Sequence, residues 1–253
     1  MSPEVESLES DGTRASFVVR GVSAAFANGV RRALLADVPT MAIDTVDFYE
    51  NTSVMFDEVL SLRLGLVPLE TDLESYSLPE ECSCDGEGCT GCEVSVLLDV
   101  AAEDDEVVVR SGDLHVEDPE VEPAEDGIPL IELKPGQSVV FEATARLGRG
   151  KDHAKNQGAS AAGYRHLLEV DGDAEPPEER VRGVVETDDG YVDLEDYDGD
   201  VEEALGEVGV REVDDAFVFE VESDGSLAAD ELVVEAARSL SDRASEIGDL
   251  VAT

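Results

Sequence analysis

The chain's 253 residues carry 62 Asp and Glu against 17 Lys and Arg, a formal net charge of −45, yet 42% of the residues are hydrophobic. That fraction can build a core for one large domain or two to three small ones, so wholesale disorder is excluded. No run approaches the roughly 18–20 apolar residues of a membrane span, the acidic N-terminus lacks a secretory apolar run, and a body this acidic repels phosphate; a cytoplasmic protein with no membrane and no autonomous DNA binding is expected.

Residues 13–20 (TRASFVVR) predict a strand from their β-branched and aromatic content. Ser23 is placed as a helix N-cap and Pro39 as the stop. Between them Phe26, Val30, Ala33, Leu34 and Val38 fall at helical spacing on one apolar stripe, with Arg31 and Arg32 beside it. Residues 42–49 read as a strand. Asp57 is expected to cap a short helix over 58–66 that is apolar nearly all round (Val59, Leu60, Leu62, Leu64, Leu66) and therefore buried. Strands are expected at 93–100, 106–110, 128–133 and 138–147, with a turn at Lys134-Pro135-Gly136-Gln137 and a loop over 111–127. An acidic, Pro-containing break at 170–180 precedes a small acidic module reaching 213, with a helix at 200–208. Residues 215–222 (DAFVFEVE) alternate as a strand. The closing helix, over 230–251, sets Leu232, Ala236, Leu240, Ala244, Ile247 and Val251 on one face.

Both ends therefore run from a strand into an amphipathic helix. The simplest assembly pairs 13–20 with 215–222 and lays both helices on that sheet. Two strands and two helices bury too little alone, which predicts a second such unit from another chain and makes the middle an insertion. Charge points the same way. Residues 12–36 contain no Asp or Glu but hold Arg14, Arg20, Arg31 and Arg32; residues 146–168 hold one acid, Asp152, against five bases. A solvated surface on so acidic a chain would be acidic, so these windows are expected to be buried or to cover a partner. Only three of the 17 bases are Lys, and an acid-coated, Lys-poor surface suits multimolar salt, where self-repulsion is screened; a halophilic source is expected.

All four cysteines lie in one stretch, Cys82-Ser-Cys84-Asp-Gly-Glu-Gly-Cys89-Thr-Gly-Cys92. Gly86, Gly88 and Gly91 are expected to supply the positive φ of a tight metal loop. A closed tetrathiolate Zn²⁺ site of structural purpose fits the pattern best, with an iron–sulfur cluster or free redox thiols as the alternatives. Gly148-Arg149-Gly150-Lys151 lacks the spacing of a phosphate loop, and His115, His153 and His166 have no nucleophile beside them in sequence, so no catalytic residue is expected. A free-standing zinc or iron redox enzyme is the competing reading.

The stretch Phe26-Ala27-Asn28-Gly29-Val30-Arg31-Arg32-Ala33-Leu34-Leu35 with Asp37-Val38-Pro39-Thr40, the segment DEVLSLRLGLVP at 57–68, and LGRGKDHAKNQG at 147–158 with Gly163-Tyr164-Arg165 resemble the alpha-type RNA polymerase subunits in their archaeal form. The resemblance runs over nearly the whole chain. It implies an α+β fold: a split alpha-type dimerisation domain of a sheet plus two long helices (1–47 and 214–253), an inserted mainly β domain (48–169) with the Cys-rich loop 82–92, and a small α/β module (170–213). It implies pairing with the smaller alpha-like subunit L through Phe26, Val30, Arg31, Arg32, Leu34, Leu240 and Ile247, and a platform for the large catalytic subunits, with the small subunits N and P nearby. The metal ligands expected are Cys82, Cys84, Cys89 and Cys92. Many archaeal relatives hold an iron–sulfur cluster in the region matching 170–213; that region has no cysteine here, so none is expected there. Asn156 stands where the family pattern has an aromatic.

Overall fold

The computed structural model describes residues 3–172, 183–188, 190–194 and 209–252. Two six-stranded sheets organise them. In the first, β1 (Glu4–Ser10), β2 (Arg14–Arg20), β14 (Gly209–Ser223), β11 (Ala159–Asp171), β12 (Val184–Thr187) and β13 (Gly190–Asp193) lie side by side in that order. All neighbours are antiparallel except β11 and β12. The expected pairing of the two chain ends is present: Phe17 sits opposite Phe219, their rings stacked 5.1 Å apart.

This sheet is apolar on both faces, which is why its central strands read as near-continuous hydrophobic runs. On one face Phe17, Val19, Phe217 and Phe219 pack against α1 (Ala24–Ala36) and α3 (Ala229–Ala252). On the other face Val18, Val218, Ala216 and Leu167 pack with Val184 and Tyr191 of the edge strands. The first and last helices meet, as expected, and Arg243 of α3 bridges Asp37 at the end of α1. The Ser23 cap is also as expected, its Oγ accepting the Phe26 N–H at 3.3 Å.

The second sheet runs β7 (His115–Val116), β5 (Glu93–Ala101), β10 (Ser138–Arg149), β3 (Pro39–Asn51), β4 (Leu69–Thr71) and β8 (Val121–Pro123). A hairpin-like pair, β6 (Val107–Arg110) and β9 (Pro129–Leu133), and the helix α2 (Asp57–Gly65) complete its core around Met41, Phe141, Leu60 and Leu64.

Several expectations change. The sheet at the chain ends has six strands rather than two, because β1, β11, β12 and β13 join it. The domain bounds move accordingly: β3 leaves α1 directly into the second sheet from Pro39, while β11, expected in the insertion, belongs with the chain ends. The described part of the 170–213 module is not a separate α/β unit but two edge strands on the first sheet. The helix expected at 200–208 lies outside the described residues. The segment 111–127, expected as loop, contributes two short strands and a 3₁₀ turn. Phe56, not Asp57, is the N-cap of α2, and it makes no side-chain capping bond.

Candidate metal centre and pairing face

The Cys-rich loop leaves a 3₁₀ turn at Pro79–Glu81 and feeds β5 at Glu93. Backbone turns fold it tightly: Asp85 N–H reaches Cys82 O at 3.1 Å, Glu87 N–H reaches Cys84 O at 3.1 Å, and Cys92 N–H reaches Cys89 O at 2.9 Å. Positive φ falls on Gly86 (79°) and Gly88 (93°) as expected, but the third such residue is Asp85 (52°) and not Gly91. The reversals turn all four thiols inward. Their sulfurs lie within 4.8 Å of one another, with Cys82–Cys89 and Cys84–Cys92 at 3.5 Å and Cys89–Cys92 at 3.8 Å.

These separations exceed the roughly 2.05 Å of a disulfide. They match a tetrahedron around one ion: Zn–S bonds of about 2.3 Å set sulfurs about 3.8 Å apart. In a four-iron cluster each thiolate binds a different iron, which needs a wider spread than this loop offers. Hydrogen bonds from the Cys82 and Cys92 thiols hold Cys84 down to about 7, while burial pushes Cys92 up to about 12. Cys92 is 1% exposed and anchors the loop in the core, whereas Cys89 is at the surface. Four cysteines this close could hold one metal ion, and a four-thiolate donor set suits holding a loop rather than activating water.

The loop is tied to the pairing helices. Glu80 and Glu81, just before Cys82, pair with Arg149 at 3.1 and 3.0 Å. Beyond Arg149 the backbone passes under the end of α1, where Lys151 N–H donates to Ala36 O at 2.9 Å. Only glycine fits at 150, since a Cβ would come within 2.3 Å of Leu35 O. The GRGK stretch therefore serves close backbone approach. Asn156 is buried and satisfied, its Nδ2 donating to Thr40 O at 2.9 Å.

The pairing residues expected from sequence divide into two sets. Val30 (9% exposed) and Leu34 (1%) point into this chain's own core against the first sheet, which corrects their expected place on the seam. The helix stripe is real, but the sheet claims its middle. Phe26 (46% exposed) and Ile247 (62%) remain open, and Leu240 is half-buried. Every residue from 241 to 251 is exposed, so the last three turns of α3 extend beyond the chain's own core with Ile247, Leu250 and Val251 uncovered. Among the described residues Arg32 is exposed with no acid within ion-pair distance, and Arg31 has none either, its Nε donating to Asn28 Oδ1 at 3.4 Å. Four of the five bases of the second acid-poor window are engaged: Arg146 with Asp44 and Glu93, Arg149 with Glu80 and Glu81, Lys155 with Asp44, and Arg165 with Glu220. Those pairs help explain why that window lacks acids of its own, since most of its bases answer acids brought from other elements.

Two of the three histidines, His153 and His166, are engaged within the chain. His153 Nδ1 accepts the Lys155 N–H at 3.1 Å, and His166 lies 3.0 Å from Val213 O with its ring against Phe217. Sequence reasoning missed the Asp37–Arg243 bridge between the helices and the uncovered side of α2. The first left no signal, because its partners are 206 residues apart. The second is present in the sequence as the all-round apolarity of 59–66, which predicts burial, whereas Val59, Leu62 and Leu66 are exposed.

Comparison with known proteins adds two findings. Residues 16–244 match the RNA polymerase Rpb3/Rpb11 dimerisation domain. The chain is 48% identical to the DNA-directed RNA polymerase subunit Rpo3 of Halobacterium salinarum, over 98% of this chain and 97% of that one. It is 47% identical to the Rpo3 of Natronomonas pharaonis over 98% of each, and 40% identical to that of Methanosarcina acetivorans over 98% and 97%. The first two organisms are halophiles, in keeping with the acid-coated composition. Among the described residues no helix is long and apolar enough to cross a membrane.

Proposed function

Because the chain belongs to the Rpb3/Rpb11 dimerisation-domain family, as an archaeal Rpo3-type subunit of DNA-directed RNA polymerase, we propose that it works as a non-catalytic assembly platform. It pairs through the free ends of α1 and α3 with the smaller alpha-like subunit L. The pair then receives the large catalytic subunits, with N and P alongside. The observations that carry this reading are the exposed last half of α3, with Ile247, Leu250 and Val251 uncovered, and the exposed Phe26 of α1. An amphipathic helix end in water gains little by itself, and a second helix pair laid across it would bury the uncovered stripe. Obligate interfaces of this kind bury about 2,000 Å² or more.

The Cys82, Cys84, Cys89 and Cys92 loop holds one Zn²⁺ in a structural role. The four-thiolate donor set and single-ion spacing support zinc, and a mononuclear iron site shares that geometry. The ion, when bound, supplies cross-linking of a loop that has little core of its own. The residues Glu80, Glu81 and Arg149 pass that rigidity to the backbone beneath α1.

Size-exclusion chromatography in concentrated salt tests the platform reading. The chain mixed with its smaller alpha-like partner should elute as a stable heterodimer that then retains the large subunits. A chain that stays monomeric beside that partner overturns it.

A further inference from the structure

Where the two sheets' cores meet, a cleft of about 860 Å³ lies between the β4–β8 ribbon and the start of α3. Leu73 lines it and packs against both cores. Eight acids and one base line the cleft. Glu70, Asp72, Glu74 and Glu122 come from the ribbon and the turn after β4, Asp230 and Glu231 from the first turn of α3. The base, Arg238, is already paired with Glu235 of its own helix. No lining residue is left to balance the remaining carboxylates.

Acidic surface is ordinary on this chain, but two features set this one apart. Glu70 stands directly opposite Glu122 in the antiparallel register of β4 and β8, and both are exposed. Like charges so placed destabilise a strand pair, and these strands are only three residues long. Beside Glu70, Thr71 lines the same cleft at 5% exposure, and its Oγ1 has no hydrogen-bond partner among the described residues. A buried hydroxyl left unpaired costs free energy. The nearest carboxylate in sequence, Asp72, is turned elsewhere, accepting the Glu74 N–H at 2.9 Å and the Ser75 Oγ–H at 3.2 Å.

Carboxylate and hydroxyl oxygens suit a hard cation. Among the described residues only the four cysteines bring three or more ligand atoms close around one point. The cleft therefore lacks the cage of six to eight oxygens that Ca²⁺ takes. Mg²⁺ differs, because it keeps several waters and is held by one or two carboxylates. The N-terminal end of α3 repels a cation, and Glu231 is engaged there with the Ala228 N–H at 3.3 Å, so the ribbon pair is the better seat.

We propose that this cleft binds one hydrated Mg²⁺ between Glu70 and Glu122, with a coordinated water donating to Thr71 Oγ1. The ion turns a repelling cross-strand pair into a bridged one and gives the hydroxyl its missing partner. The site is separate from the cysteine loop and does not depend on the assembly reading. The test uses the full chain in concentrated KCl, with MgCl₂ added at matched ionic strength. Calorimetry reads binding, denaturant unfolding reads stability, and hydrogen exchange reads the place. Mg²⁺ should bind, raise the unfolding midpoint and slow amide exchange over 69–74 and 120–124. The double variant Glu70→Gln, Glu122→Gln, at exposed positions, should be at least as stable as the unsubstituted chain without Mg²⁺ and should no longer respond to it. Thr71→Val should also be at least as stable without Mg²⁺, since the unpaired hydroxyl is gone, yet bind the ion roughly tenfold more weakly, the size of one hydrogen bond to a charged group. Should Thr71→Val misfold, the double variant decides. No response to Mg²⁺ beyond that to KCl overturns the proposal. So does an undiminished response in the double variant, or wild-type affinity in a folded Thr71→Val, because the ion would then sit elsewhere.

Discussion

Truncating Ile247 and truncating Leu34 should have opposite consequences, although both sit on apolar helix stripes near the same seam. Ile247 is 62% exposed in the chain alone. Complete burial of an Ile side chain is worth about 1.5–3 kcal/mol, so covering the exposed 62% contributes about 1–2 kcal/mol to pairing. At about 1.4 kcal/mol per decade, Ile247→Ala should weaken the heterodimer by up to roughly 20-fold. Its effect on the stability of the isolated chain should stay within about 0.5 kcal/mol, as for other surface positions. Leu34, 1% exposed, is already buried against the first sheet. Leu34→Ala should cost about 2–5 kcal/mol of unfolding free energy in the chain alone. Denaturant unfolding in concentrated salt reads the second quantity, and titration with the smaller alpha-like partner reads the first. Wild-type affinity for Ile247→Ala would refute the use of α3's free end in pairing. Weakened pairing by Leu34→Ala with unchanged unfolding would refute its placement in the core.

Purified under reducing conditions, the chain should carry one metal ion, and Cys92→Ser should lose it by elemental analysis, because the buried thiolate is one of four around a single ion. Gly150→Ala should lower the unfolding midpoint by the equivalent of about 1–3 kcal/mol, an overpacking cost, since its methyl would meet the Leu35 carbonyl at 2.3 Å. Asp224 is held above its ordinary carboxylate range by burial, against hydrogen bonds from Ser226 that act the other way. A raised carboxyl pKa means the folded state binds the proton more tightly than the unfolded state, so stability falls as pH rises through that range. Asp224→Asn should therefore raise the midpoint at pH 7, with the gain shrinking toward pH 4; a gain that grows on acidification would contradict the burial argument. Dilution of salt should destabilise the chain, as its −45 charge loses screening, and circular dichroism at falling salt checks this.

Local rules were enough where one residue type has one physical use. The Ser23 cap, the Lys134–Gln137 turn and the helix at the C-terminal end depend on neighbours within a few positions, and all are present. The four cysteines lie so close in sequence that backbone turns alone bring their sulfurs together. The strands β1, β12 and β13 were not legible because they are short or acidic on the outer side, and only pairing with a distant strand makes them strands. The strand β11 gives little local signal: it opens on small residues, 159–163, and carries Arg165, which is matched by Glu220 of the neighbouring β14.

From residue order alone came the acid-coated class, the closed thiolate loop, the resemblance to alpha-type polymerase subunits and the meeting of the two chain ends. Those follow from composition, from spacing and from strong local patterns. Only tertiary structure decided which side of each apolar stripe the chain keeps for itself. An amphipathic period states that a helix has a hydrophobic face; it does not state whether this chain's own sheet or another subunit covers it. Leu34 and Leu60 are covered from within, while Ile247 and Leu62 are left to water. That division depends on where sheets formed by residues up to two hundred positions apart happen to end, which no short window of sequence contains.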